Sequence, residues 1–313
     1  MLAADPLKFL FVINPISGGK SKNNWETEII NYFKPKHHAI ELCLLTGKND
    51  ADSIAGMIQN FKPDRVIAVG GDGTVNLVAR LIMGTGMSMG ILPAGSANGL
   101  AKELKVPNVP EEALKIVEKG RVNKIDSLKI NDQFISLHLA DIGLNAQLIR
   151  YFEEDKWRGM LGYAKVVLKT MWRTQKVKVL IETDTETLSR RAYMVVLANS
   201  KRYGTGAVIN PIGKINDGKF ELIVVRRLAF SELLKMIFRH KPYDPRKVEI
   251  FRTRTVNLKS NRKTYFQSDG EYLGKKDFVH AEIIEGKISV LVPWEENDNT
   301  TLQSGDGDLQ TQA

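Results

Sequence analysis

Four times in roughly the first 125 residues, a short apolar run stops at turn residues and yields to a stretch with helical spacing. The runs are KFLFVIN (Lys8–Asn14), AIELCLL (Ala39–Leu45), RVIAVGG (Arg65–Gly71) and SMGILP (Ser88–Pro93). Between and after them lie WETEIINYF, ADSIAGMIQNF, VNLVARLIM and EEALKIVEKG. Such alternation predicts a parallel sheet with helices on both faces, and near-continuous apolar strands agree with burial on both sides.

After Asn123 the pattern changes. KIDSLKINDQFISLHLA reads as two strands about an Asn131-Asp132 turn. KVKVLIET, AYMVVLAN, KFELIVV, KVEIF, TVNLKS, TYFQSDG, FVHAEII and KISVLVP follow as further short strands. They predict an antiparallel sandwich, with helical patterns chiefly at Met160–Arg173 and Ser231–Arg239. The expected organisation is an α/β nucleotide-binding domain over 1–124, a β-rich substrate domain over 125–294 and a tail over 295–313. That tail is too polar to offset the entropy of ordering, so it is expected to be disordered.

Hydrophobic residues make up 43% and charged residues 26% of the 313, which excludes a wholly disordered chain. Cys43 is the single cysteine, so no internal disulfide and no Cys-type zinc site can form, and a cytoplasmic setting is expected. No run is long enough to span a membrane, and the start lacks a signal-peptide pattern. The formal charge of +9 admits nucleic acid, phosphate-bearing molecules or an anionic membrane as partners.

The chemistry concentrates in three glycine-rich loops that follow strands. Gly70-Gly71-Asp72-Gly73-Thr74 precedes a helix expected to begin near Val75. Asn14-Pro15-Ile16-Ser17-Gly18-Gly19-Lys20 and Pro93-Ala94-Gly95-Ser96-Ala97-Asn98-Gly99 have the same design. Glycines let the backbone approach a ligand, and a helix N-terminus offers free N–H groups to a phosphate. Three such loops at the carboxyl ends of parallel strands point to a phosphate-rich nucleotide. Walker and Rossmann fingerprints both fail, since Asn14 stands where the first wants Gly and Gly90 falls one residue late for the second.

The order NPxSGGK, GGDGT-x-N, PAGSANGLAKEL and a late DGE resembles the diacylglycerol kinase catalytic-domain superfamily, which includes bacterial diacylglycerol kinases, sphingosine kinases and ceramide kinases. The resemblance runs from Asn14 to about Pro293; GGDG alone is shared with NAD kinases and phosphofructokinases. It implies a phosphofructokinase- or NAD-kinase-like first domain and an ATP- and Mg2+-dependent kinase. Asn14, Thr46, Gly70, Gly71, Asp72, Gly73, Thr74, Asn76, Gly95 and Ser96 match positions that hold ATP. Asp72 matches the Asp working with Mg2+ at the phosphates, and Glu271 of Asp269-Gly270-Glu271 the general base. In Asn216-Asp217-Gly218-Lys219, the Asp217 carboxylate with the carbonyls of Lys214 and Lys219 matches a structural Mg2+ site.

The acceptor is less defined. Asp126 and Asn98 match substrate-side positions, and Gly99 replaces an Asp of many diacylglycerol kinases, giving a PAGS-x-N form more like sphingosine kinases. Diacylglycerol or a related lipid is the first expectation, a sphingoid base or ceramide the second, and a soluble acceptor, as in an NAD kinase, the third. A non-enzymatic nucleotide- or membrane-binding protein is the reading from another class. Lys165, Lys169 and Arg173 in Met160–Arg173 could meet an anionic bilayer, or the helix could simply pack on the sheet. Arg190-Arg191, Arg226-Arg227 and Arg262-Lys263 come without a nucleic-acid motif, so no nucleic-acid partner is expected. A homodimer is left open. The five histidines show no metal-ligand spacing and read as structural.

Overall fold

The computed structural model describes residues 5–18, 24–154, 174–202, 208–227 and 243–294. The first half runs β1 (Lys8–Ile13), α1 (Trp25–Phe33), β2 (Ala39–Leu44), α2 (Asp50–Phe61), β3 (Arg65–Gly70), α3 (Asp72–Ile82), β4 (Ser88–Pro93), α4 (Gly99–Glu103) and α5 (Pro110–Lys119). Its strands pair in parallel in the order β4-β3-β1-β2. Phe9 and Phe11 pack on Phe33 of α1, while Leu10 and Val12 point the other way and are equally sealed. Helices therefore cover both faces, α1 against α5 and α2 against α3. Local chemistry agrees with the ends: Asn24 accepts from Thr27 N at 3.4 Å at the start of α1, and Pro110 opens α5.

The second half comprises β5 (Arg121–Ile130), β6 (Phe134–Ser136), β7 (Leu139–Gly143), α6 (Leu144–Glu154), β8 (Val177–Thr183), β9 (Thr187–Ala192), β10 (Met194–Ala198), β11 (Phe220–Val225), β12 (Val248–Thr253), β13 (Thr255–Ser268) and β14 (Glu271–Val292). Asn131 and Asp132 both take positive φ, 50° and 56°, turning β5 into β6 as their identities suggest. β13 serves two layers: Val256–Ser260 pair with β8, and Phe266–Ser268 with β7. Between those layers Phe220, Phe266, Leu197, Leu222, Leu258 and Ile181 form a sealed sandwich core. The last strand then returns to the first half, where Ser289 and Val290 of β14 pair in parallel with Ser88 and Met89 of β4.

Several elements differ from the sequence reading. TVNLKS and TYFQSDG are one strand, as are FVHAEII and KISVLVP, because irregularities at Lys259/Thr264 and Ile284/Ile288 interrupt register without ending the strands. Helix α6 and strand β9 were not anticipated. The start of α6 is capped from inside β7, where Asp141 accepts from Ala146 N at 2.9 Å, so no cap stands in the usual position. Residues 124 and 125, the expected boundary, both lie within β5. Met160–Arg173, Ser231–Arg239 and the tail lie outside the described residues.

Candidate active site

The three glycine-rich loops lie side by side. Asn14 N donates to Val69 O at 2.9 Å, and its side-chain amide to Thr74 Oγ1 at 3.4 Å. α3 begins at Asp72 rather than near Val75, so the glycine turn is itself the helix's first turn. That turn presents its early N–H groups without intrahelical acceptors. A Cβ at Gly95 would overlap the Cα of Gly71, and one at Gly70 would overlap Thr74. The loops thus meet backbone to backbone, leaving a cradle of amides that phosphates fit.

Asp72 stands half-buried at the centre of this cradle. Its carboxylate accepts from Gly99 N at 3.0 Å and Leu100 N at 3.2 Å, so it caps α4 across the two loops. Asn98 spends its side chain locally, accepting from Gly95 N at 2.8 Å and donating to Gly95 O at 2.9 Å. It is 8% exposed, so it shapes the loop and does not face a substrate, contrary to the expectation for it. Ser96 is exposed at the loop's tip. Thr46, at the end of β2, is clamped by Asp50, which accepts from Thr46 N and Gly47 N at 2.9 Å each; those bonds hold the Asp50 carboxyl below its usual range.

From the second half, the β13–β14 turn brings the DGE residues onto the cradle. Asp269, at φ 49°, accepts from Asn76 Nδ2, Ser136 Oγ and Leu137 N at 2.8 Å each, from His138 N at 3.0 Å and from Leu139 N at 3.1 Å. Five donors on one carboxylate fix the turn against both halves. Glu271 is exposed, and its Oε1 lies 3.3 Å from where a Cβ of Gly73 would stand. A small pocket here is lined by Gly73, Asn76, Phe134, Asp269, Glu271 and Leu273, among others.

Behind the turn, Gln267 links Gly270 N, which it accepts at 2.9 Å, to the buried Asp141 carboxylate, to which it donates. Burial pushes the Asp141 carboxyl up to about 6. His138 was read as merely structural. It is 7% exposed, its Nε2 has no partner in the structure, and burial lowers its pKa while the nearby Asp269, Asp72 and Glu103 carboxylates oppose that. His138 also donates its backbone N–H to Asp269, which sets the buried ring beside the DGE turn; lone histidines without ligand spacing gave no signal of this.

Two expected roles change. Asp126 is 3% exposed and accepts from Gly218 N and Gly286 N at 2.8 Å each, so it ties two turns together. Asp217 does not present a carboxylate for Mg2+: Oδ2 is bonded by Arg252 and Oδ1 accepts from Lys219 N at 3.3 Å. Lys214 and Lys219, whose carbonyls would complete the ligand set, flank the same turn. These residues do not fit the structural ion. Of the basic clusters, Arg190 and Arg226 both pair with Glu249, at 2.7 and 3.1 Å.

Residues 8–130 match the model of the diacylglycerol kinase catalytic domain, and residues 139–292 that of the YegS C-terminal NAD kinase beta sandwich-like domain. The chain thus carries a diacylglycerol kinase catalytic domain followed by a YegS C-terminal domain. Proteins with that catalytic domain are phosphotransferases with an alcohol acceptor, and so is this chain. Among curated relatives, a protein named probable lipid kinase YegS from Salmonella arizonae is 25% identical over 288 residues, covering 89% of this chain and 95% of its own. A YegS-like protein from Serratia proteamaculans is 26% identical over 298 residues, covering 92% and 95%. The kinase fold is shared with a diacylglycerol kinase from Bacillus anthracis str. Sterne, with TM-score 0.73, 19% identity and coverage of 91% and 96%. An NAD kinase from Archaeoglobus fulgidus in complex with ATP has the same fold at TM-score 0.56 and 14% identity, covering 95% and 97%.

Proposed function

We propose that this kinase transfers the γ-phosphoryl group of ATP to the hydroxyl of diacylglycerol or a related lipid. The observation that carries the reading is the approach of Glu271, from the second half, to Gly73 in the glycine turn of the first. A carboxylate there meets an acceptor hydroxyl where phosphates would lie on the amides of α3. Glu271 takes the hydroxyl proton as the oxygen attacks the γ-phosphorus; that P–O bond forms, the bond to the β-phosphate oxygen breaks, and ADP leaves. Bound Mg2+ would neutralise charge on the phosphates. The chain's own part is positioning: Gly71 and Gly95 admit the phosphates, Asn14 and Thr74 hold the loops together, and Asp269 fixes Glu271.

Phe134 and Leu273 give the same pocket an apolar side, which suits a lipid acceptor better than a dinucleotide. Asp126 is buried on two amides, so it presents no open carboxylate for a sphingoid ammonium, which favours a neutral headgroup. Work on a lipid entails peripheral contact with the membrane, and no helix among the described residues is long and apolar enough to cross one.

The test is transfer of labelled γ-phosphate from ATP with Mg2+ in mixed micelles, to diacylglycerol, sphingosine, ceramide and phosphatidylglycerol, with NAD in detergent-free buffer. Label on a glycerolipid supports the proposal. Label on sphingosine or ceramide alone would move the acceptor to the sphingolipid class, and label on NAD alone would overturn the lipid reading.

A further inference from the structure

Where the family resemblance sets a divalent cation on Asp217, the structure sets an arginine. β11 and β12 pair with Glu221 directly opposite Arg252. From that register the guanidinium bonds Asp217 Oδ2 through Nη2, while its Nε lies 3.3 Å from Glu221 Oε1 as an ion pair that does not complete a hydrogen bond. The Glu221 side chain is 2% exposed, and its other oxygen accepts from Asn210 Nδ2 at 2.6 Å. Without a cation, two acidic groups would face each other where one of them cannot be hydrated.

The surroundings leave no second cation a natural seat. Asp217 Oδ1 already accepts from Lys219 N, and Gly218 N is taken by Asp126 at 2.8 Å. A Cβ on Gly218 would stand 3.0 Å from the Glu285 carboxyl carbon, and Glu285 is itself bonded by Arg254, in the bend between β12 and β13. Mg2+ needs near-octahedral oxygen ligands, and here it would have to stand beside a fixed guanidinium. A planar guanidinium with donors on two edges suits a pair of carboxylates arriving from a turn and a strand.

We propose that Arg252 is the resident cation of this turn, taking the electrostatic role that the resemblance gives to Mg2+, so that residues 214–219 keep their shape without metal. The proposal is independent of the kinase reading, and neither falls with the other.

The experiment uses the whole protein without nucleotide. Melting temperature is measured in EDTA and in millimolar MgCl2 for the wild type, Arg252→Gln and Asp217→Asn, with Mn2+ as a paramagnetic probe of bound divalent ion. The wild type should melt at the same temperature in both buffers and show no Mn2+ site that Asp217→Asn removes. Arg252→Gln should melt lower in EDTA, by about 2 °C or more. A wild-type melting temperature raised by Mg2+, with the rise lost in Asp217→Asn, would overturn the proposal. So would an Arg252→Gln protein as stable in EDTA as the wild type. If Arg252→Gln does not fold, the wild-type and Asp217→Asn titrations with Mn2+ still decide.

Discussion

Asn76, in the first turns of α3, donates to the carboxylate of Asp269 at 2.8 Å across 193 residues of sequence. The bond joins the glycine-turn helix to the DGE turn, so the spacing of Asp72 and Glu271 depends on it. Asp269→Ala would strand buried donors from Ser136, Leu137, His138 and Leu139, and should cost about 3 kcal/mol or more of stability. Asp269→Asn, which keeps one acceptor oxygen, should unfold less easily yet turn over at least about tenfold slower, because Glu271 is no longer fixed. Urea titrations with kinetics on the same samples check this; unchanged turnover in Asp269→Asn would remove the positioning role.

Glu271→Gln keeps the size of the side chain and removes its basicity. Turnover should fall by about 100-fold or more, while nucleotide affinity, measured by calorimetry, stays near the wild-type value. A comparable loss of ATP binding would mean that Glu271 holds nucleotide instead of activating the acceptor.

Asp72→Asn separates two roles on one carboxylate. Its amide oxygen can still cap α4 through one of the two amides now bonded at 3.0 and 3.2 Å, so the melting temperature should shift by only a few degrees. Transfer should fall by about a thousandfold or more, because an amide would hold Mg2+ at the phosphates far less well than a carboxylate. Near-normal transfer would reduce Asp72 to a helix cap.

Gly95→Ala puts a methyl group onto the Cα of Gly71, where only backbone can give way. The Michaelis constant for ATP should rise about tenfold or more while that for the acceptor holds. Equal increases in both would show that the two loops do not define the nucleotide side.

Asp141 sets a pH dependence of unusual sign. Its carboxyl is raised by burial from 3.8 to about 6 in the fold, so the folded state holds this proton more tightly than the unfolded chain. Its stabilising contribution is full below about pH 4, is lost as pH rises towards 6, and is flat above; the change is about 3 kcal/mol. Asp141→Asn removes the ionisation. The wild-type stability minus that of the variant should therefore fall across this window, and a flat difference curve would refute the raised pKa.

The parallel half was legible because β1, β3 and β4 are sealed on both faces and end in glycine loops, two local signals that agree. Asp72 and Glu271 stood out by motif, and the structure brings both to one cradle. The role of Asp126 was not legible, since nothing local says that the amides of Gly218 and Gly286 will arrive from 92 and 160 residues away. The pairing of Asp217 was not legible for the same reason: its partner Arg252 comes from β12, 35 residues on. His138 was read only as structural because its position depends on the start of β7 meeting the DGE turn. Helix α6 was hidden because its cap lies inside a strand.

The parallel pairing of β4 with Ser289 and Val290 has a consequence for how the protein is made. On the ribosome, the nucleotide half has all its glycine loops long before it has the strand that closes its sheet. Until β14 emerges, the edge of β4 stays open and Glu271 has not yet been synthesised. The glycine-loop amides thus exist before the strand that closes their sheet and before the turn that carries Glu271.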